Sequence, residues 1–110
     1  SNSPYLIEPE FIPEIKHLYG AVGMGRDDNP EKLSAGCQFY IVHDTLGIPR
    51  LDQNYTVFGQ LFKGFEVLNK IATLKTDSLD SPIDRVSIKV STLRLTKKEL
   101  TQLGGFSFLK

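Results

Sequence analysis

A β-rich, all-β class fold carrying only short helices is what this sequence predicts, on three observations. Nine glycines and six prolines in 110 residues cut the chain into short segments. The segments between them favour β-branched and aromatic residues, as in the run from Cys37 to His43. Apolar residues at helical spacing are confined to a short stretch after Phe65, and a second helix signal stands near the end.

Taken in order, residues 4 to 13 hold Pro4, Pro9 and Pro13, which exclude a helix interior and predict an extended lead-in. The first strand is expected from Ala21 to Arg26. Residues 27 to 36, polar and carrying Pro30 and Gly36, read as a surface loop. A second strand follows from Cys37 to His43. After a loop with Gly47 and Pro49, a third strand runs from Tyr55 to Phe62, with Tyr55, Val57 and Gly59 alternating against Thr56, Phe58 and Gln60. Phe39, Val57 and Phe58 are expected as core or face packing.

From Phe65 to Leu74 the period changes: Phe65, Leu68, Ile71 and Ala72 fall on one face of a helix. Beyond Pro82, Val86, Ile88 and Val90 alternate as a strand, while Leu93 and Leu95 continue in the opposite phase. A bulge near Ser91 and Thr92 would reconcile the two. Thr96 and Glu99 have capping-box spacing, which predicts a helix to about Gln102 with Leu95 and Leu100 as its staple. Gly104 and Gly105 should end it, leaving an apolar tail of Phe106, Phe108 and Leu109 that should dock.

Thirteen basic residues balance thirteen acidic ones, so there is no long-range field to attract nucleic acid or an anionic membrane. No apolar run approaches the roughly 20 residues that span a bilayer, so no membrane insertion is expected. Cys37, the single cysteine, has no internal disulfide partner and reads as a small strand residue. His17 and His43 lack ligand-like spacing and read as solvated or locally bonded, one in a polar lead-in and one at a strand end. Asp27, Asp28 and Asn29 read as loop solvation, without the pattern of a calcium loop. No metal and no cofactor is expected.

Three blocks, GAVGMGR, AGCQFYIV and LDQNYTVFGQ, follow one another between Gly20 and Gln60, with KGFEVLNKIA after them. In this order and spacing they resemble the cyclophilin-type peptidyl-prolyl cis-trans isomerases over about residues 5 to 95. NPEKLSAG and YLIEPEF resemble the bacterial branch. The resemblance implies a closed antiparallel barrel, a substrate groove on its outer surface, and one cyclophilin-like domain over residues 1–110. Here the barrel is expected to be incomplete, because the family's early strands are absent. Residues 96–110 lie outside the match.

The implied activity is rotation about Xaa-Pro peptide bonds in protein folding, an isomerase or rotamase reaction that breaks no covalent bond. The amide barrier is roughly 18–20 kcal/mol for ordinary peptide bonds, and catalysis means favouring the twisted amide over the planar one. Carried over by position, the resemblance places Met24, Gln38, Tyr40, Leu51 and Tyr55 in the groove, with Gly25 and Arg26 lining the neighbouring peptide subsite. Tyr40 stands where most members have phenylalanine, Tyr55 where many have histidine, and Gly25-Arg26 where better-known members have Ala-Asn. Arg50 replaces the tryptophan or histidine often found before Leu51.

The family's F-H-R-x-x-x-x-F-x-x-Q-G-G segment, whose arginine donates to the prolyl nitrogen, has no match in residues 1 to 19. No catalytic residue is identified in this chain, and Ser1-Asn2-Ser3 reads as a processing scar or a cloning remnant. The alternative reading is a non-catalytic proline-peptide-binding or chaperone-like module; a third is a purely structural fragment. Partners are expected to be proline-containing polypeptides, with self-association or a retained amino-terminal fragment completing the barrel. Resemblance to exported bacterial relatives makes the cell envelope or periplasm the expected location, with the cytoplasm as the alternative.

Overall fold

The computed structural model describes residues 6–104, and the chain divides into two compact units, Ser1–Leu61 and Phe62–Lys110. In the first unit, β1 (Leu6–Ile7) pairs antiparallel with β3 (Ser34–Ala35), so the described part of the proline-rich lead-in is extended as expected. The remaining strands form one three-stranded antiparallel sheet. In it β2 (Ala21–Met24) lies between β4 (Phe39–Ile41) and β5 (Val57–Gln60). These three are the cores of the three predicted strands, each shortened at its ends. The loop predicted from 27 to 36 is interrupted by β3, whose two residues are buried.

The register places Met24 opposite Phe39, Gly23 opposite Tyr40 and Val22 opposite Ile41. On the other side Val22 faces Gly59 but Gly23 faces Val57, which leaves Phe58 as an extra residue in a β-bulge. The alternation predicted for this strand therefore does not hold through it. Phe58 turns outward and is 61% exposed, and Phe39 is 50% exposed, so neither is a core residue. The core is instead made of small residues, Ala21, Ala35 and Val42, with His17, Ser34 and Thr56 as buried polar companions.

Thr56 shows how the lead-in is fastened to this sheet. Its hydroxyl accepts the Glu10 amide at 3.1 Å, and its carbonyl accepts the Met24 amide at 2.9 Å. After β4 the chain passes through Gly47, whose φ of +77° an L side chain rarely adopts. A Cβ there would stand 2.6 Å from the His17 carbonyl oxygen. The Ile48 amide donates to that same oxygen at 2.9 Å, and a 3-10 turn over Pro49–Leu51 follows.

In the second unit, α1 (Phe65–Ala72) forms where the helical periodicity predicted it, with Phe65 and Leu68 half-buried but Ile71 and Ala72 exposed. Asp77 then organises a tight turn, its Oδ1 accepting the amides of Leu79 at 2.9 Å and Ser81 at 3.0 Å. The predicted strand from Val86 to Val90 is not formed, nor its continuation through Leu95. Alternation alone does not make a strand: its backbone needs a ladder partner, and none of the described strands pairs with it. α2 (Lys97–Gly104) does carry the capping box. The Glu99 amide donates to Thr96 Oγ1 at 3.2 Å, and the Thr96 amide donates to Glu99 Oε1 at 3.1 Å. The helix runs beyond Gln102 to Gly104; Gly105 and the apolar tail lie outside the described residues, as does Pro4. No helix among the described residues is long and apolar enough to cross a membrane.

Candidate functional site

The expected groove residues fall in the first unit, on the β2–β4 pair and the turn before β5. Tyr40 sits opposite Gly23, and its ring lies where any side chain at 23 would stand: a Cβ there would come within 2.3 Å of the phenol. Glycine at 23 is thus what allows the aromatic side chain to cross the centre of the sheet. Tyr55 meets Tyr40 edge to face, with centroids 6.1 Å apart and planes at 84°. The Arg26 guanidinium stacks on Tyr55, 4.3 Å from the ring centroid, while its Nε donates to the Asn54 carbonyl at 3.2 Å. An Arg26 η-nitrogen also donates to the Asp27 carbonyl at 3.0 Å.

Tyr40, Tyr55 and Arg26 therefore form one continuous aromatic and cationic wall. Gly25 and Gln38 form a second group beside it in sequence: the Gly25 amide donates to the Gln38 carbonyl at 3.1 Å, and a Cβ on Gly25 would approach Gln38 Cβ to 2.8 Å. Met24 is half-buried at the end of β2. Leu51, also half-buried, ends the 3-10 turn, and its carbonyl accepts the amides of Asn54 and Tyr55 at 3.0 Å each. That pair of bonds sets where Tyr55 leaves the turn. A separate cavity of about 420 Å³, lined by Ile15, Leu18, Val57 and Phe58 among others, involves none of these residues.

Behind the wall lies a group that sequence reasoning missed. His17 is not a solvated residue of a polar lead-in but among the most buried side chains, at 2% exposure. Its Nδ1 lies 2.8 Å from Asp52 Oδ1 and its Nε2 lies 2.6 Å from the Tyr40 hydroxyl. The His17 amide donates to the same carboxylate oxygen at 2.7 Å. Both partners are distant in sequence, so no local pattern announces the contact. The available signal was position: Asp52 lies within LDQNYTVFGQ, and His17 stands just before GAVGMGR.

These contacts set the electrostatics. Asp52 is held below its ordinary value of 3.8, first by the His17 amide and then by the ring of His17 and the charge of Lys16, against a desolvation that pushes the other way. Tyr40 is pushed up from 10.0 to about 12, chiefly by burial and then by Tyr55. Arg26 opposes that rise and Asp52 adds to it. At neutral pH Tyr40 is therefore a phenol with a proton to donate.

Comparison with known proteins gives these features a family. Residues 1–93 match the model for cyclophilin type peptidyl-prolyl cis-trans isomerase/CLD. A putative peptidyl-prolyl cis-trans isomerase of Staphylococcus saprophyticus is 32% identical, over 74% of this chain and 53% of its own length. A peptidyl-prolyl cis-trans isomerase of Acinetobacter baylyi is 33% identical, over 83% of this chain and 53% of its own. Among solved structures, a Cryptosporidium parvum cyclophilin type isomerase determined in the presence of the dipeptide Ala-Pro superposes with a TM-score of 0.61. It is 31% identical, with 72% of this chain and 49% of that one covered. The chain belongs to the cyclophilin-type peptidyl-prolyl cis-trans isomerase family. It spans about half the length of the curated relatives it matches.

Proposed function

We propose that this chain carries the proline-binding side of a peptidyl-prolyl cis-trans isomerase and acts on Xaa-Pro bonds of extended polypeptides. The observation that carries the reading is the wall made by Tyr40 on β4, Arg26 just beyond β2 and Tyr55 before β5, from residues that the resemblance places in the family groove. The related Cryptosporidium protein, studied with Ala-Pro, supports a proline-containing ligand. In this reading Tyr40, Met24 and Leu51 hold the pyrrolidine ring, Tyr55 offers a polar tip to a substrate carbonyl, and Gly25, Arg26 and Gln38 line the adjoining peptide.

A wall that grips the planar and twisted amides equally gives little acceleration. The donor to the prolyl nitrogen belongs to a segment that residues 1 to 19 do not match, and Arg26 is already engaged with two carbonyls and the Tyr55 ring. The 110-residue chain is therefore expected to bind proline peptides and to isomerise them poorly. Loss of one transition-state donor typically costs about 10²–10³ in rate. Proline-peptide turnover by the purified chain, with its mass measured in solution, tests this. Near-normal turnover from a monomer would overturn it. Exposed Phe39 and Phe58 support the further expectation that another chain or an amino-terminal fragment covers this unit. Location in the cell envelope belongs to the same proposal and is checked by fractionation of the source cells.

A further inference from the structure

The chain Asp52–His17–Tyr40 reaches from a half-exposed carboxylate through a buried imidazole to the aromatic wall, and the chemistry of the carboxylate fixes one end of it. A carboxylate can only accept, so the His17 nitrogen facing Asp52 carries the proton. The other ring nitrogen shares a hydrogen bond with the Tyr40 hydroxyl, which can serve as donor or acceptor. The two rings lie within 12° of parallel with centroids 5.8 Å apart. Face stacking would separate parallel planes by more than the 2.6 Å between Nε2 and the hydroxyl, so the rings meet edge to edge, as a directed hydrogen bond requires. His17 is held in turn by its own amide on Asp52 and by its carbonyl under Ile48.

We propose that His17 and Asp52 are positioning residues for the proline-binding wall, tethering the Tyr40 phenol at its tip so that the ring is preset for the prolyl ring. The inference rests on the groove reading above and extends it to two residues outside the groove. A phenylalanine at position 40 would supply the same ring face but no tether, and packing alone would hold it. Here the tip, the Gly23 crossing and the edge contact with Tyr55 fix the ring at three places. Breaking the tether frees the ring and strands a nitrogen of a side chain that is only 1% exposed.

The test uses the 110-residue chain, a proline-containing peptide such as one with a central Ala-Pro, and Tyr40→Phe, Tyr40→Ala, Asp52→Ala and Asp52→Asn variants. Peptide affinity and the ring resonances of residue 40 are followed by NMR, together with the His17 tautomer. The expected result is a loss of affinity of about fivefold for Tyr40→Phe and Asp52→Ala, the scale of one net hydrogen bond. Faster ring reorientation should accompany it in Asp52→Ala, and Asp52→Asn, which keeps an acceptor oxygen, should restore both readings. Should Asp52→Ala not fold, Tyr40→Phe against wild type decides. If Tyr40→Ala abolishes binding while Tyr40→Phe binds like wild type, the groove stands and the tether inference falls. A wild-type chain that binds no such peptide overturns the groove reading, and this inference with it.

Discussion

Among the described residues, every fully buried one lies in the first unit, while the second holds only half-buried and exposed ones. The two are similar in local regularity, each with short elements and well-made turns. They differ in the range of their bonds. The first joins residues 6–7 to 34–35, strand β2 to β5, and His17 to Tyr40 and Asp52. The second rests on a capping box, an Asp77 turn and two single helices, mostly contacts between near neighbours. Apolar side chains such as Leu79, at 84% exposure, stand in water there. Long-range bonds are what produce a dry interior, and only a dry interior can hold a directed polar chain like that behind Tyr40.

If that contrast is right, substitutions should separate the units by size of effect. Gly23→Ala should be the most damaging, because its methyl would occupy the space of the Tyr40 ring; overpacking of this kind costs about 1–3 kcal/mol. A urea midpoint shift at unchanged slope measures it, and an unchanged midpoint would mean that Tyr40 does not cross β2. Thr96→Ala should cost about 1 kcal/mol of helix stability and confine it to α2, read by amide exchange of residues 97–104. Spread of that loss into β2 would erase the contrast. Leu79→Ser, in the second unit, should stay within about 0.5 kcal/mol.

The pH dependence sharpens the same comparison, since Asp52 and Tyr40, two of its sources, are both bound to His17 in the first unit. The folded value of Asp52 is depressed, so its contribution to stability is present above 3.8 and is lost as pH falls through the lower folded value. Asp52→Asn should flatten the acid limb. The folded value of Tyr40 is raised, so its contribution is complete below 10.0 and is lost as pH rises toward about 12. Tyr40→Phe should remove that part of the alkaline slope, and tyrosine absorbance should show one phenol titrating late.

Legibility in the sequence followed the same division. The capping box at Thr96 and the helix at Phe65 were readable because their partners lie within one turn of each other. The strand centres at Gly23 and Tyr40 were readable from composition. Val86, Ile88 and Val90 misled because period-two alternation records a preference and not a partner. Phe58 misled because a bulge depends on the register of two strands, which neither strand encodes alone. His17 was unreadable for a related reason: its role exists only once Tyr40 and Asp52 reach it from later in the chain.

The sheet order, with β2 between β4 and β5, carries a consequence for the sequence of events in folding. The middle strand is the first of the three to be synthesised, and it must wait for both neighbours. A capped helix can form in about a microsecond, whereas pairing β2 with β5 requires closing a long loop, which is the slower class of event. Until that loop closes, Asp52 is not yet held against the histidine beside β2, and water stands where the dry interior will later be.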